Sequence, residues 1–228
     1  AGFEDMRKGI IFFSIRDIIK SMHNRPKCIV LENVDNLLTH DEGNTIGVIL
    51  DTLINKLDYH VIGANKNKLG KIEFLSKNFI RNSKNFGVPQ NRPRVYIIAF
   101  DKRHYKKKIA LLPSTTPEKN NLKLYDSLNE LLDIDVDGKY FLSYGYLTTL
   151  EKHAEREHKK GNGFGYKVVN LPEIKAPLAN TLLATGGSGR ERNLILDIKN
   201  GRKYANKMFP LKRSPVNDKN IRTMTPNE

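Results

Sequence analysis

A short apolar run, Cys28–Leu31, ends directly in the polar pair Glu32 and Asn33. An unbroken apolar run of this length is typical of a strand that is covered on both faces, as in a parallel sheet packed between helices. A carboxylate at the end of such a strand costs stability unless it is paired or has a chemical task. The run therefore predicts a buried strand that delivers Glu32 to the edge of a sheet. An ordinary ion pair with a lysine or arginine is the alternative interpretation of Glu32.

Helical and extended patterns alternate around this run. Ile10–Met22 and Thr45–Leu57 carry apolar residues at helical spacing, whereas Tyr59–Gly63 and Val95–Phe100 have the composition of strands. This order predicts an α/β layer with a mixed sheet.

The second half of the chain has weaker patterns. Leu124–Leu132 and Leu147–Lys160 are predicted as helices, and the short apolar pieces between glycines predict a small, irregular, β-rich unit. We therefore predict an α/β domain over residues 1–105, a basic hinge over 106–121 and a second domain over 122–228.

Charge indicates a polyanionic partner. The 228 residues contain 39 Lys and Arg against 25 Asp and Glu, a formal net charge of +14, which favours nucleic acid. The longest apolar runs are far short of the ~20 residues that span a bilayer, and no signal peptide is recognisable. One cysteine excludes an internal disulfide framework and suits a reducing cytoplasm, and the lack of a Cys or His cluster predicts no metal site.

A second polar cluster occupies Gln90–Arg94. On an extended backbone Gln90, Arg92 and Arg94 would face one way, and Pro93 suits the entry of a strand. Two guanidinium groups can hold a phosphate or a base oxygen and can orient a nearby carboxylate. A solvated basic rim is the alternative interpretation.

Together these segments resemble the DNA cytosine-5 methyltransferase family. Glu32–Val34 after an apolar strand is similar to its Glu-Asn-Val motif, and Asn85–Tyr96 contains its Gln-x-Arg-x-Arg motif in the same order. Gly2–Phe13 resembles the preceding Arg-Gly-x-Leu-Phe-Phe region with Lys and Ile substituted. Arg222–Glu228 resembles a later Arg-x-Leu-Thr-x-Arg-Glu motif, with Asn227 where arginine is usual.

The resemblance implies a Rossmann-like, S-adenosylmethionine-dependent fold with an irregular β-rich target-recognition domain. In this family a cysteine adds to carbon 6 of a flipped cytosine while a carboxylic acid protonates N3. By resemblance Glu32 is that acid, Arg94 binds the base oxygen and orients Glu32, and Arg92 lies near the target nucleotide. Asn33 and Gln90 would support this active site.

The resemblance also assigns binding residues. Ile11 would contact S-adenosylmethionine, most of whose site would lie outside these residues. Thr181 and Leu182 resemble the Thr-Leu motif that supports the flipped nucleotide, and Arg190 and Arg192 belong to a glycine-rich loop that would read double-stranded DNA. Gly163 lies in a stretch that resembles relatives acting on CC/GG-type sites.

The resemblance further implies a bacterial cytoplasmic enzyme of a restriction-modification system. Such an enzyme would act as a monomer, with a cognate restriction endonuclease as its functional rather than physical partner.

The main departure from the family is its nucleophile. The Pro-Cys dipeptide would precede Gly2, so we expect a partial chain, also short of the C-terminal end, that is inactive alone. Cys28 lies four strand residues from Glu32, roughly 13 Å at ~3.3 Å per residue, and is predicted to pack in the core. A DNA-binding subunit of a split or catalytically dead methyltransferase remains an alternative. So does a basic RNA-binding protein with accidental motif matches.

Overall fold

The computed structural model describes residues 10–121, 124–161, 165–182 and 191–228. The chain forms two compact units. The first comprises Ala1–Asn85 and Pro93–Asn120, and the second comprises Phe86–Arg92 and Asn121–Glu228. The predicted hinge over 106–121 thus falls almost wholly inside the first unit, and the second unit takes a short segment from within the predicted first domain. The predicted boundaries themselves stay a prediction.

The helices and strands occur in this chain order: α1 (Ile10–Ser21), β1 (Cys28–Val34), α2 (Asn44–Asp51), β2 (Tyr59–Val61), β3 (Ala64–Lys66), β4 (Ile72–Phe74), β5 (Ile80–Asn82), β6 (Gln90–Asn91), β7 (Pro93–Asp101), α3 (Lys102–Tyr105), α4 (Tyr144–Lys159), β8 (Ala179–Asn180), β9 (Ile195–Leu196), α5 (Ile198–Tyr204) and β10 (Ile221–Arg222). The predicted helices at both ends of the Cys28 strand are present, and α2 continues as a π-helical turn over Thr52–Lys56. An α/β architecture is therefore confirmed.

The sheet of the first unit is built on β7. Strand β1 pairs with one side of β7, and β2 and β5 pair with the other side, all antiparallel. The prediction that β1 is covered on both faces is wrong. Ile29 and Leu31 face the core, whereas Cys28, Val30 and Glu32 are exposed. The reason is that an antiparallel strand can leave one face open, and an apolar run without alternation does not show which face that is.

The core of the first unit lies on the inner face of this sheet. Ile46 and Leu50 of α2 and Val95 and Ile97 of β7 are almost fully buried there. Burying a side chain of this kind stabilises the fold by about 1.5–3 kcal/mol, so the helical stripe holds the sheet rigidly. The outer face, with alternate residues of β1 and β7, carries both polar and apolar side chains, among them the exposed Val30 and Glu32.

A buried ion pair fixes the far end of β7. Arg25 Nη2 lies 3.1 Å from Asp101 Oδ1, and both side chains are largely buried. The guanidinium also stacks on the Tyr59 ring, 4.5 Å from its centroid, and the Tyr59 hydroxyl donates to the carbonyl of Pro26 at 2.6 Å. These contacts tie the residues before β1 to β2 and β7. They support the register that places Glu32 opposite Tyr96.

The second unit has less regular structure. It contains helices α4 and α5 and short strands, with β9 antiparallel to β10 and β6 parallel to β8. The helix predicted over Leu124–Leu132 is wrong, because only a single 3-10 turn forms at Leu128–Leu131. The capping box of Ser127 and Glu130 closes that turn, and Leu132 is already extended. This half is irregular, as predicted, but its strands are fewer and shorter than the predicted β-rich unit would have.

Candidate active site

Glu32 and Arg94 form an ion pair on the outer face of the first unit's sheet. Arg94 Nε lies 2.9 Å from Glu32 Oε1; the arginine side chain is 13% exposed and the glutamate side chain 49%. In the register of β1 with β7, Arg94 is directly opposite Val34 and therefore diagonal to Glu32. Diagonal neighbours across antiparallel strands are within reach of long side chains. The arginine is packed while the carboxylate stays open to solvent.

Arg94 is itself held by the backbone. Its Nη1 donates to the carbonyl of Pro93 at 2.7 Å, which fixes the plane of the guanidinium. An ion pair with a half-exposed partner contributes only about 0–1 kcal/mol to stability, so this pair does little for the fold. Its geometric effect is larger, because a fixed guanidinium orients a carboxylate that a ligand can still approach.

The sheet register gives Glu32 and Asn33 different cross-strand partners. Tyr96 lies directly across from Glu32, whereas Asn33 is opposite Val95, a core residue. The Asn33 side-chain oxygen accepts a hydrogen bond from the Val34 amide at 2.8 Å. Asn33 therefore lies on the opposite face of the sheet from Glu32, and Tyr96 is the residue directly across from Glu32.

Gln90 and Arg92 belong to the second unit. Gln90 lies in β6 and Arg94 in β7, and the extended structure is interrupted at Arg92. The three residues therefore do not lie on one strand, and the expectation that their side chains face one way stays a prediction. The cause is that β6 and β7 pair with different partners: β6 with β8, and β7 with β1, β2 and β5. Pro93 is the first residue of β7, the strand-entry position predicted for it.

The second unit brings the predicted Thr181 to the Gln90 segment. Thr181 Oγ1 donates to the carbonyl of Asn91 at 3.1 Å, just beyond the β6–β8 pair. The next residue, Leu182, has an exposed side chain. Arg192 is half-buried, and its carbonyl accepts a hydrogen bond from Asn180 Nδ2 at 2.7 Å. Arg190 and Gly163 lie outside the described residues.

The whole chain, residues 1–228, matches the family model described as C-5 cytosine-specific DNA methylase. The chain belongs to this family. It is 38% identical to Type II methyltransferase M.HpaII of Haemophilus parainfluenzae over 230 residues, covering 100% of this chain and 55% of that protein. It is 36% identical to Type II methyltransferase M1.ScrFI of Lactococcus lactis subsp. cremoris, covering 74% of this chain and 37% of that protein.

A solved structure shares the fold of this cytosine-5 methylase chain. The Entamoeba histolytica methyltransferase EhMeth is 20% identical with a TM-score of 0.54, covering 99% of this chain and 56% of that one. The chain thus spans about half the length of M.HpaII and of EhMeth.

Cys28 does not pack in the core of this methylase chain as predicted. It is exposed, because it lies on the open outer face of β1. Desolvation nevertheless raises the pKa of its thiol above the usual value, the opposite of what activates a nucleophilic cysteine. Cys28 is thus accessible without being activated.

The predicted cofactor contact is a single apolar side chain. Ile11 lies on α1 and is 61% exposed. An apolar side chain can contact an adenine ring, but it cannot hold the ribose hydroxyls or the charged amino-acid part of S-adenosylmethionine. Among the residues that the structure describes, no group of His, Cys, Asp and Glu could hold a metal ion, and no helix is long and apolar enough to cross a membrane.

Sequence reasoning missed residues in each of the two units. Tyr96 could be recognised only once β1 was known to pair antiparallel with β7, since its position depends on register. Asn180 and Asn193 stand at the edges of recognised motifs, but nothing in those motifs predicts a role for them. Buried asparagines that bind the backbone leave no pattern in a single sequence, because Asn is also the common residue of exposed turns.

Proposed function

We propose that the intact protein transfers a methyl group from S-adenosylmethionine to carbon 5 of cytosine in a specific sequence of duplex DNA. The proposal follows from family membership, and the single observation that carries it is the Glu32–Arg94 pair. A packed, backbone-held arginine presents a solvent-open carboxylate on one face of a rigid sheet. This arrangement suits a group that must meet a base brought in from outside the protein.

In this proposal the residues of the chain have distinct roles. Arg94 engages Glu32 Oε1, which leaves the second oxygen facing N3 of the flipped cytosine; in its acid form Glu32 donates the proton on that oxygen to N3 and becomes the carboxylate that Arg94 stabilises. Arg94 also binds the base oxygen, and Arg92 and Gln90 lie against the target nucleotide. Thr181 and Leu182 support the flipped nucleotide, while Arg190, Arg192 and the Gly163 stretch contact the duplex.

The remaining parts of the reaction come from beyond these residues. The thiol that adds to carbon 6 and the groups that hold the methyl donor, apart from Ile11, are proposed to lie outside the 228 residues. The residues alone are then inactive. We further propose a monomer that works in the bacterial cytoplasm beside a cognate restriction endonuclease, since the relatives M.HpaII and M1.ScrFI are named Type II methyltransferases.

The test is methyl transfer by the complete protein. It would be incubated with S-adenosylmethionine carrying a labelled methyl group and with plasmid DNA, and bisulfite sequencing would locate the product. We expect 5-methylcytosine at one recurring short sequence. Methylation of adenine, methylation of RNA alone, or no methylation at all would contradict the proposal.

A second candidate is a DNA-binding subunit of a split or catalytically dead methyltransferase. It is supported by the formal net charge of +14, which suits binding to duplex DNA whether or not methyl transfer follows. The same assay separates the two functions. A complete protein that binds duplex DNA with sequence preference, yet never methylates it, would have this second function.

A further inference from the structure

Asn193 binds the backbone of Asn180 through both of its polar side-chain groups. The Asn180 amide donates to Asn193 Oδ1 at 2.6 Å, and Asn193 Nδ2 donates to the Asn180 carbonyl at 3.2 Å. The side chain of Asn180 in turn donates to the carbonyl of Arg192. Asn193 is only 1% exposed. These bonds, which we call the Asn180–Asn193 clamp, join the end of β8 to the segment that begins at Arg192.

One side of the clamp is anchored in the core of the second unit. Leu194 and Ile195, which follow Asn193, are fully buried. The Leu194 amide donates to the carbonyl of Lys167 and its carbonyl accepts from the amide of Val169, both at 2.9 Å. Asn193 is therefore the first residue of a backbone segment whose position is fixed.

The other side of the clamp carries the Gln90 segment. Asn180 ends β8, which pairs in parallel with β6; the Ala179 amide donates to the carbonyl of Pro89 at 2.8 Å, and Thr181 Oγ1 donates to the carbonyl of Asn91. Each strand of this pair is two residues long. A ladder so short is weak by itself, and parallel pairing is slightly less stable per residue than antiparallel pairing. The hydrogen bonds of the clamp therefore add stability that this short ladder does not have by itself.

We propose that Asn193 is a positioning residue, which sets the place of Thr181 and of Gln90–Arg92 against the target nucleotide. The inference rests on the proposed methyl transfer. One buried amide thus links the segment that begins at Arg192 to the segment that carries Arg92. Asn193 touches no reacting atom itself and acts through Asn180.

The chain offers a matched control in Asn170. Its Nδ2 donates to the carbonyl of Leu196 at 3.0 Å, and its Oδ1 accepts from the amide of the same residue at 2.8 Å. Asn170 thus makes the same pair of hydrogen bonds in the same unit, but to Leu196 rather than to β8. Asn170→Ala removes equivalent hydrogen bonds without loosening the Gln90 segment.

The experiment compares Asn193→Ala with Asn170→Ala in the complete protein. A small displacement of a positioned group costs up to about 100-fold in rate, so we expect kcat to fall about 10–100-fold in Asn193→Ala while the KM for DNA stays within about threefold. Asn170→Ala should lower the melting temperature by a similar amount and leave kcat within about threefold of the parent. Asn193→Ser, which keeps a small uncharged hydroxyl at this buried position, should give an intermediate kcat. This second variant serves if Asn193→Ala does not fold.

Hydrogen exchange gives a readout that does not depend on activity. The Ala179 amide, which donates to Pro89, should exchange faster in Asn193→Ala and unchanged in Asn170→Ala. If the parent is active and both variants change kcat and the exchange of the Ala179 amide equally, the role of Asn193 is overturned and the proposed function is not. A parent that never methylates DNA would instead overturn the proposed function, and the role of Asn193 in catalysis with it.

Discussion

At the scale of single residues, Glu32 combines exposure with fixed orientation. Half of its side chain is open to solvent, yet one carboxylate oxygen is bound by Arg94, which is packed and held by the Pro93 carbonyl. Stability does not explain this arrangement, because pairs of this kind contribute little to folding. A substrate-facing acid needs both properties, since the base must reach it and its proton must point at N3.

Glu32→Gln tests this interpretation in the complete protein. Glutamine keeps the shape and an acceptor for Arg94 but carries no acidic proton, so methyl transfer should fall by about 10²–10⁴-fold, the usual contribution of a positioned acid. DNA affinity, measured by equilibrium binding, should stay near that of the parent. Glu73→Gln, which removes an exposed carboxylate at β4, is the control and should change neither quantity. Weaker binding with unchanged turnover at saturating DNA would contradict the role given to Glu32.

At the scale of secondary-structure elements, the sequence predicted where strands and helices lie better than how they pair. The apolar run at Cys28 identifies β1, and helical spacing identifies α1, but neither pattern shows which strand pairs with which. The exposure of Cys28 and Val30 follows from antiparallel pairing with β7, which a run without polar alternation conceals. The position of Tyr96 opposite Glu32 follows from that pairing and was unpredictable for the same reason.

The Arg222–Glu228 motif is a second case at this scale. The resemblance places these residues in one motif but does not show which contacts they make. Arg222, 1% exposed, binds both oxygens of the Glu228 carboxylate at 2.7 Å and binds Asp197 Oδ2 at 2.9 Å. Asp197 also caps α5, so this buried network joins β10 to a helix and to the turn at Thr225.

We predict that Arg222→Ala destabilises the protein by about 3–5 kcal/mol, because it leaves buried carboxylates without a counter-charge. Lys203→Ala removes an exposed ion pair with Asp135 and should cost less than about 1 kcal/mol. Urea unfolding of the complete protein, followed by circular dichroism, measures both free energies. Equal destabilisation in the two variants would show that burial of the Arg222 network does not matter.

At the scale of the whole molecule, the division into units was the least predictable feature. Asn85–Tyr96 is the most specific block of the sequence, yet the structure assigns Phe86–Arg92 to one unit and Pro93 onward to the other. The cause is the pairing of β6 with β8, whose Asn91–Thr181 bond joins residues 90 positions apart. Long-range pairing of two-residue strands leaves no periodic signal in a sequence.

Net charge is also a property of the whole molecule. It leads to a prediction that distinguishes DNA binding by one local surface from DNA binding by total charge. The residues carry a formal charge of +14, and a protein that neutralises about six to ten phosphates binds DNA about 10³–10⁵-fold more weakly at 200 mM salt than at 50 mM. In the second unit Lys199, Arg202 and Lys207 are exposed, and in the first unit Lys106, Lys107 and Lys108 are exposed. Changing either triplet to glutamine removes the same three charges.

If the second unit recognises DNA, neutralising its triplet should reduce the slope of log affinity against log salt by about 0.9 for each phosphate that the protein no longer neutralises. Neutralising Lys106–Lys108 should leave the slope near that of the parent. Fluorescence anisotropy with a labelled duplex lacking the target sequence, at several salt concentrations, gives the three slopes. Equal reductions in both variants would mean that total charge governs binding, and a larger reduction for Lys106–Lys108 would move the DNA-binding surface to the first unit.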